Sequence, residues 1–138
     1  MFDHCLYFNT TALARRLERE WTAAFKPYDL TAPQAFLLRA IVDNPGLAQR
    51  ELASSMAISR PTATRALDGL AAKALIERRA SGHDGRESFV YATAKGSAIH
   101  AGLNEASGKV TRRLKKLLGE QTFAETVVKV RSVSSALQ

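Results

Sequence analysis

From Ser59 to Arg65 the chain reads Ser-Arg-Pro-Thr-Ala-Thr-Arg, a run dense in groups that grip anions or base edges. If Ala63, Ala66, Leu67 and Leu70 form the buried side of a helix, Arg60, Thr62, Thr64 and Arg65 fall on its outer, N-terminal part. A guanidinium pairs with guanine or phosphate, a hydroxyl reaches phosphate or base edges, and a threonine methyl packs on thymine. Ser59 places a further hydroxyl at the first-turn amides, where unpaired donors and partial positive charge favour phosphate. The second constellation is Asp84-Gly85-Arg86, which with Gly82 makes a slender loop carrying a cation near its tip. Such an arginine suits a narrow, electronegative minor groove, and Asp84 is placed to steer it. An ordinary surface helix and an ordinary charged turn are the plainer readings, so the surrounding elements decide.

Those elements follow from periodicity. Leu6, Leu13, Leu17, Trp21 and Phe25 recur at helical spacing opposite Arg15, Arg16, Arg19 and Glu20, which predicts an amphipathic helix of roughly five turns ending near Pro27. Thr31 caps a second helix with Pro33 in its first turn and Phe36, Leu37, Ala40 and Ile41 as its buried stripe; Asn44-Pro45-Gly46 stops it. A short helix, Gln49 to Met56, then connects tightly through Ala57-Ile58 to the helix that Ser59 begins. Ile76 to Ala80 and Glu87 to Ala92 alternate in polarity and predict a two-stranded hairpin around residues 81–85. Thr93 caps a long helix towards Leu118, and a final helix from near Glu120 is expected to bury Phe123, Val127, Val130 and Val133. Two helices joined by a tight turn and followed by a hairpin are the order of a winged helix-turn-helix, in which the second helix enters the major groove. The predicted fold class is mainly α with a small β-hairpin wing.

Composition agrees with this order. A chain of 138 residues suits one domain with a sizeable core, and its 46% hydrophobic and 24% charged content is that of an ordinary globular protein. The net charge of +7 favours a polyanionic partner. Lys/Arg and Asp/Glu balance at five each in residues 1–46, stand at seven to five in 47–92, and at eight to three in 93–138. Lys109, Arg112, Arg113, Lys115 and Lys116 supply much of that excess, either as a solvated helix face or as a patch flanking a partner. The apolar runs are too short to span a bilayer and Met1 to Asn9 does not read as a secretory signal, so no membrane association and a cytoplasmic location are expected. His4, His83 and His100 are too scattered for a metal site, and no phosphate loop, dinucleotide fingerprint or nucleophile elbow is present, so neither a cofactor nor an enzyme is expected.

The stretch from Leu47 to Gly96 resembles the MarR family in Gln49-Arg50-Glu51-Leu52-Ala53, Ile58-Ser59-Arg60-Pro61-Thr62-Ala63-Thr64-Arg65, Leu75-Ile76-Glu77-Arg78, Asp84-Gly85-Arg86 and Ala92-Thr93-Ala94-Lys95-Gly96. The resemblance implies one domain over 1–138, with a DNA-binding winged helix-turn-helix over 30–93 and dimerisation helices in 1–29 and 94–138. It implies a homodimeric transcription regulator, a repressor by expectation, on a near-palindromic operator of double-stranded DNA. Gln49, Ser59, Arg60, Thr62, Thr64, Arg65, Asp84 and Arg86 are the candidate DNA-binding residues. Many relatives carry a second arginine directly after the wing Asp-x-Arg, where this chain has Glu87.

Family members are often released from DNA by a small aromatic or carboxylated effector bound between the dimerisation and DNA-binding parts. Phe8, Leu17, Trp21, Phe36 and Arg39 are candidates to line such a crevice and equally good core residues. One branch of the family senses peroxide through a lone cysteine in the first helix, aided by tyrosines beside a Thr-x-Pro-Gln segment. Here that segment is Thr31-Ala32-Pro33-Gln34-Ala35, with alanines at both places. Cys5, the single cysteine, is therefore read as a packed or incidental thiol, with redox sensing as the alternative. A winged helix that binds only protein is the other alternative, and it should expose apolar residues where Arg60, Arg65 and Arg86 stand.

Overall fold

The computed structural model describes residues 1–80 and 87–138. Helix α1 (Leu6–Phe25) ends in a 3-10 turn (Lys26–Tyr28), where Pro27 withdraws a backbone donor and Asp29 turns left-handed at φ 54°. Helix α2 (Ala32–Asp43) opens on a full capping box. The Gln34 amide donates to Thr31 Oγ1 at 3.3 Å and the Thr31 amide donates to Gln34 Oε1 at 3.0 Å. Gly46, at φ 87°, then reverses the chain over the Tyr91 ring into β1 (Leu47–Ala48).

Helices α3 (Gln49–Ser55) and α4 (Arg60–Ala72) are joined by a turn in which Ala57 adopts φ 55° and the Ile58 amide bonds back to Ala53 O at 3.1 Å. Strands β2 (Ile76–Ala80) and β3 (Ser88–Ala92) pair antiparallel, with Arg78 opposite Val90. β1 joins the other edge of β3, Leu47 opposite Val90, so the sheet has three strands in the order β1-β3-β2. The sequence predicts only the hairpin, because a two-residue strand has no alternation to detect. The remaining helices are α5 (Ala94–Ala98), α6 (His100–Leu118) and α7 (Glu120–Ala136).

The continuous helix expected from Thr93 to Leu118 is interrupted at Ile99. Thr93 does cap, accepting from the Gly96 amide at 3.1 Å, but its hydroxyl also donates to Ala74 O at 2.7 Å and ties α5 to the exit of α4. Gly96 lies so close to the Leu75 carbonyl that a Cβ there would stand 2.1 Å from the oxygen. α5 is thus held on Leu75, while α6 packs on α1 and α2.

Phe25, Leu37, Leu38, Ile41, Leu52, Leu67, Leu70, Val90 and Leu103 are the largest fully buried side chains, drawn from α1, α2, α3, α4, β3 and α6. Two features tie α6 to the rest: Trp21 Nε1 donates to Ser107 Oγ at 2.9 Å, and Arg39 Nε donates to Asn104 Oδ1 at 2.7 Å. The expected burial of α7 is not found within the chain. Phe123 is half-buried, and Val127, Val130 and Val133 are 42%, 52% and 42% exposed. The N-terminal half of α1 is bare in the same way at Leu6 and Leu13, while its far end, Phe25, is fully buried. No helix among the described residues is long and apolar enough to cross a membrane.

Candidate nucleic-acid interface

The first turn of α4 fixes the outer face of this helix. Ser59 accepts from the Thr62 amide at 3.3 Å and donates to Thr62 Oγ1 at 2.8 Å, so the cap consumes both hydroxyls in part. Pro61 occupies the first turn, where a missing amide leaves nothing unpaired. Ala63, Ala66, Leu67 and Leu70 are buried, as the periodicity predicts. Arg60, Thr64 and Arg65 are exposed and Thr62 is half-buried. Thr64 Oγ1 donates to its own helix at Arg60 O, 2.9 Å away, so its hydroxyl proton is engaged while its oxygen can still accept. Neither Arg60 nor Arg65 joins an ion pair among the described residues, so both guanidinium charges remain available to an anion.

Beside them runs a groove of about 480 Å³ lined by Gln49, Arg50, Arg60, Ala63, Thr64, Glu87 and Ser88. Gln49, a sequence candidate, is half-buried, and its Oε1 accepts from Arg78 Nε at 2.6 Å. Arg78 also donates to Asp68 Oδ1 at 2.7 Å, so it ties α3, α4 and β2 together under the face. Arg50 Nε donates to Glu87 Oε1 at 2.5 Å. That hydrogen bond first, and the carboxylate charge second, raise the Arg50 pKa above its usual value. Sequence reasoning missed the roles of Arg50 and Arg78, because their partners lie 37 and 29 residues away. Asp84 and Arg86, the candidates at the wing tip, lie outside the described residues.

The excess charge of the C-terminal third is partly engaged. Arg112 pairs with Glu105 at 2.8 Å, Arg113 pairs with Glu20, and Lys115 Nζ stands 5.4 Å from the Phe123 ring centre. This region is thus less a free cationic patch than its composition implies. His100 Nε2 lies 3.0 Å from Asp43 Oδ1, and no group of three metal-binding side chains occurs among the described residues. Cys5 is exposed, which excludes the packed reading for the single chain.

An apolar crevice of about 330 Å³ lies between α1, α2 and the α3–α4 turn, lined chiefly by Leu17, Trp21, Ala32, Pro33, Phe36, Met56 and Ile58. Three of the five crevice candidates line it. Phe8 packs instead on Phe2 with the rings tilted, 5.4 Å between centres, and Arg39 lies over the Phe36 ring, 4.9 Å from its centre, without lining the crevice. Burial lowers the Arg39 pKa, with nearby Asp43 opposing the shift, and its Nη1 is buried with no hydrogen-bond partner among the described residues.

A model of the MarR family matches residues 28–87, which include α4 and every residue lining the groove but Ser88. Among curated proteins, the HTH-type transcriptional regulator MgrA of Staphylococcus aureus is 29% identical over 134 residues, covering 88% of this chain and 91% of that protein. Among solved structures, the PcaV transcriptional regulator from Streptomyces coelicolor, in complex with its natural ligand, is 25% identical with a TM-score of 0.82 and full coverage of both chains. The S. aureus MepR–DNA complex shares the fold at a TM-score of 0.84 and 18% identity, over 97% of this chain and 99% of that one.

Proposed function

We propose that the chain is a MarR-family transcription regulator that binds a near-palindromic operator as a homodimer and represses transcription from it, a reading supported by the family model over residues 28–87 and the likeness to MgrA. The observation that carries this reading is the outer face of α4, where Arg60 and Arg65 stand exposed and free of ion pairs among the described residues, beside Thr62 and Thr64. In this reading residues 30–93 meet DNA, with Arg65 and Arg60 reading base edges or phosphate and Ser59, Thr62, Thr64 and Gln49 fixing register. Arg86, steered by Asp84, enters the minor groove. That relatives of the same fold have been solved on DNA, as with MepR, supports the assignment. The protein-only alternative is disfavoured by a face that presents cations where apolar side chains would be needed.

The helices of 1–29 and 94–138 form the dimer. The bare apolar stripes on α1 and α7 support this: full burial of a wholly exposed side chain of this kind gains about 1.5–3 kcal/mol, and Leu6, Leu13, Val127, Val130 and Val133, at 42–64% exposed, have roughly half of that still to gain. A small aromatic or carboxylated molecule in the crevice at Trp21 and Phe36 would release DNA by favouring a dimer with wrongly spaced α4 helices.

Selection from random duplexes, followed by fluorescence-anisotropy titration of the recovered site, tests the reading. Recovery of a two-fold symmetric site is expected, and Arg65→Ala should weaken binding to it by about 1–3 kcal/mol with relaxed preference at one position per half-site. Sequence-indifferent binding by the unmodified chain would exclude it. Addition of benzoate to the preformed complex tests the release step, and a promoter fusion distinguishes repression from activation.

A further inference from the structure

We infer that Glu87 is a specificity-determining residue for duplex recognition, acting through Arg50 as a clamp that fixes the direction of its guanidinium. The inference rests on the reading of the α4 face as a DNA-binding surface. Arg50 and Glu87, from α3 and the residue that leads into β3, both line the groove that Arg60 and Thr64 also line. Arg50 is the more exposed partner, at 61% against 33% for Glu87, so the carboxylate at the foot of β3 is the anchor and the guanidinium is what it holds. The bond uses only Nε. The two terminal nitrogens have no partner among the described residues, and they are the pair that grips a phosphate in fork geometry.

An unrestrained surface arginine sweeps through many rotamers and meets a phosphate wherever the duplex happens to lie, which adds affinity without sequence preference. Held through Nε, the same arginine meets phosphate only in the seating that brings a backbone oxygen to its fork. The ordering is then already done before DNA arrives. The charge of Glu87 is therefore not simply a loss of attraction beside the recognition helix. It restricts where attraction is felt.

The test measures affinity of the full chain for its selected operator and for a scrambled duplex across a salt series, with Glu87→Gln, Arg50→Lys, Arg50→Ala and the Glu87→Gln/Arg50→Ala double variant. Glu87→Gln should raise affinity for the scrambled duplex about 5–10-fold near 0.1 M salt and steepen the salt slope by about one per chain bound, the signature of one more phosphate contact. Its effect on the operator should be smaller, so that the ratio of the two affinities falls. Arg50→Lys, which keeps the charge but loses the fork, should lower the ratio likewise. In the Arg50→Ala background Glu87→Gln should change nothing. Thermal unfolding of each variant shows whether it is folded. Equal gains on both duplexes, or a gain that persists without Arg50, would overturn the clamp and leave the functional reading standing. An unmodified chain that prefers no duplex would overturn both.

Discussion

Ala57 and Ala74 close α3 and α4 in the left-handed region, at φ 55° and 58°, where a Cβ crowds the following carbonyl. Ala57→Gly and Ala74→Gly should each relieve roughly 0.5–1 kcal/mol after the added freedom of the unfolded chain is deducted, read as a higher thermal midpoint. Gly96 is the opposite case. Its Cβ would press on the Leu75 carbonyl oxygen, which is backbone and cannot step aside, so Gly96→Ala should destabilise by about 1–3 kcal/mol in denaturant titration. At this scale the sequence was readable wherever the contact is local. Thr31 with Gln34, and Ser59 with Thr62, are three residues apart, and their cap patterns are visible in the order of side chains. Gly96 against Leu75, Arg78 against Gln49, and Arg50 against Glu87 join positions that only the folded chain brings together, and no spacing rule points to them.

Elements were legible to the extent that they carry a period. The helices α1 to α4, the β2–β3 hairpin and α7 follow from apolar spacing and turn residues. The break at Ile99 does not, because its cause is the docking of α5 on Leu75, and β1 does not, because two residues make no pattern. α7 is the instructive element. Its stripe of Val127, Val130 and Val133 was readable as a face that requires cover, but nothing in a single sequence says whether that cover comes from the same chain or another. If a second copy supplies it, Val130→Glu should convert a dimer into monomers in sedimentation velocity, because a carboxylate buried without a partner costs several kcal/mol at each of two equivalent positions. Operator affinity should fall in parallel, while the helical content of the isolated chain changes little.

The molecule as a whole carries a net charge of +7, and Arg60 and Arg65 stand free of ion pairs among the described residues on a face with no apolar patch to replace them. Electrostatic attachment should therefore dominate: if a dimer neutralises about six to ten phosphates, affinity for any duplex should drop roughly a thousand-fold or more between about 50 and 200 mM salt, measured by the same titration. A much flatter dependence would place most contacts on base edges instead. One arrangement also bears on how the protein can be watched. Its sole tryptophan, Trp21, is hydrogen-bonded to Ser107 across the α1–α6 seam and forms one wall of the crevice at Phe36. Fluorescence excited at wavelengths that spare the three tyrosines thus comes from one known position in each chain, and its colour and lifetime track the polarity of that seam without any dye. Occupancy of the crevice, slippage of α1 along α6 or loss of the Ser107 bond would each change the emission of that one indole in the untouched protein.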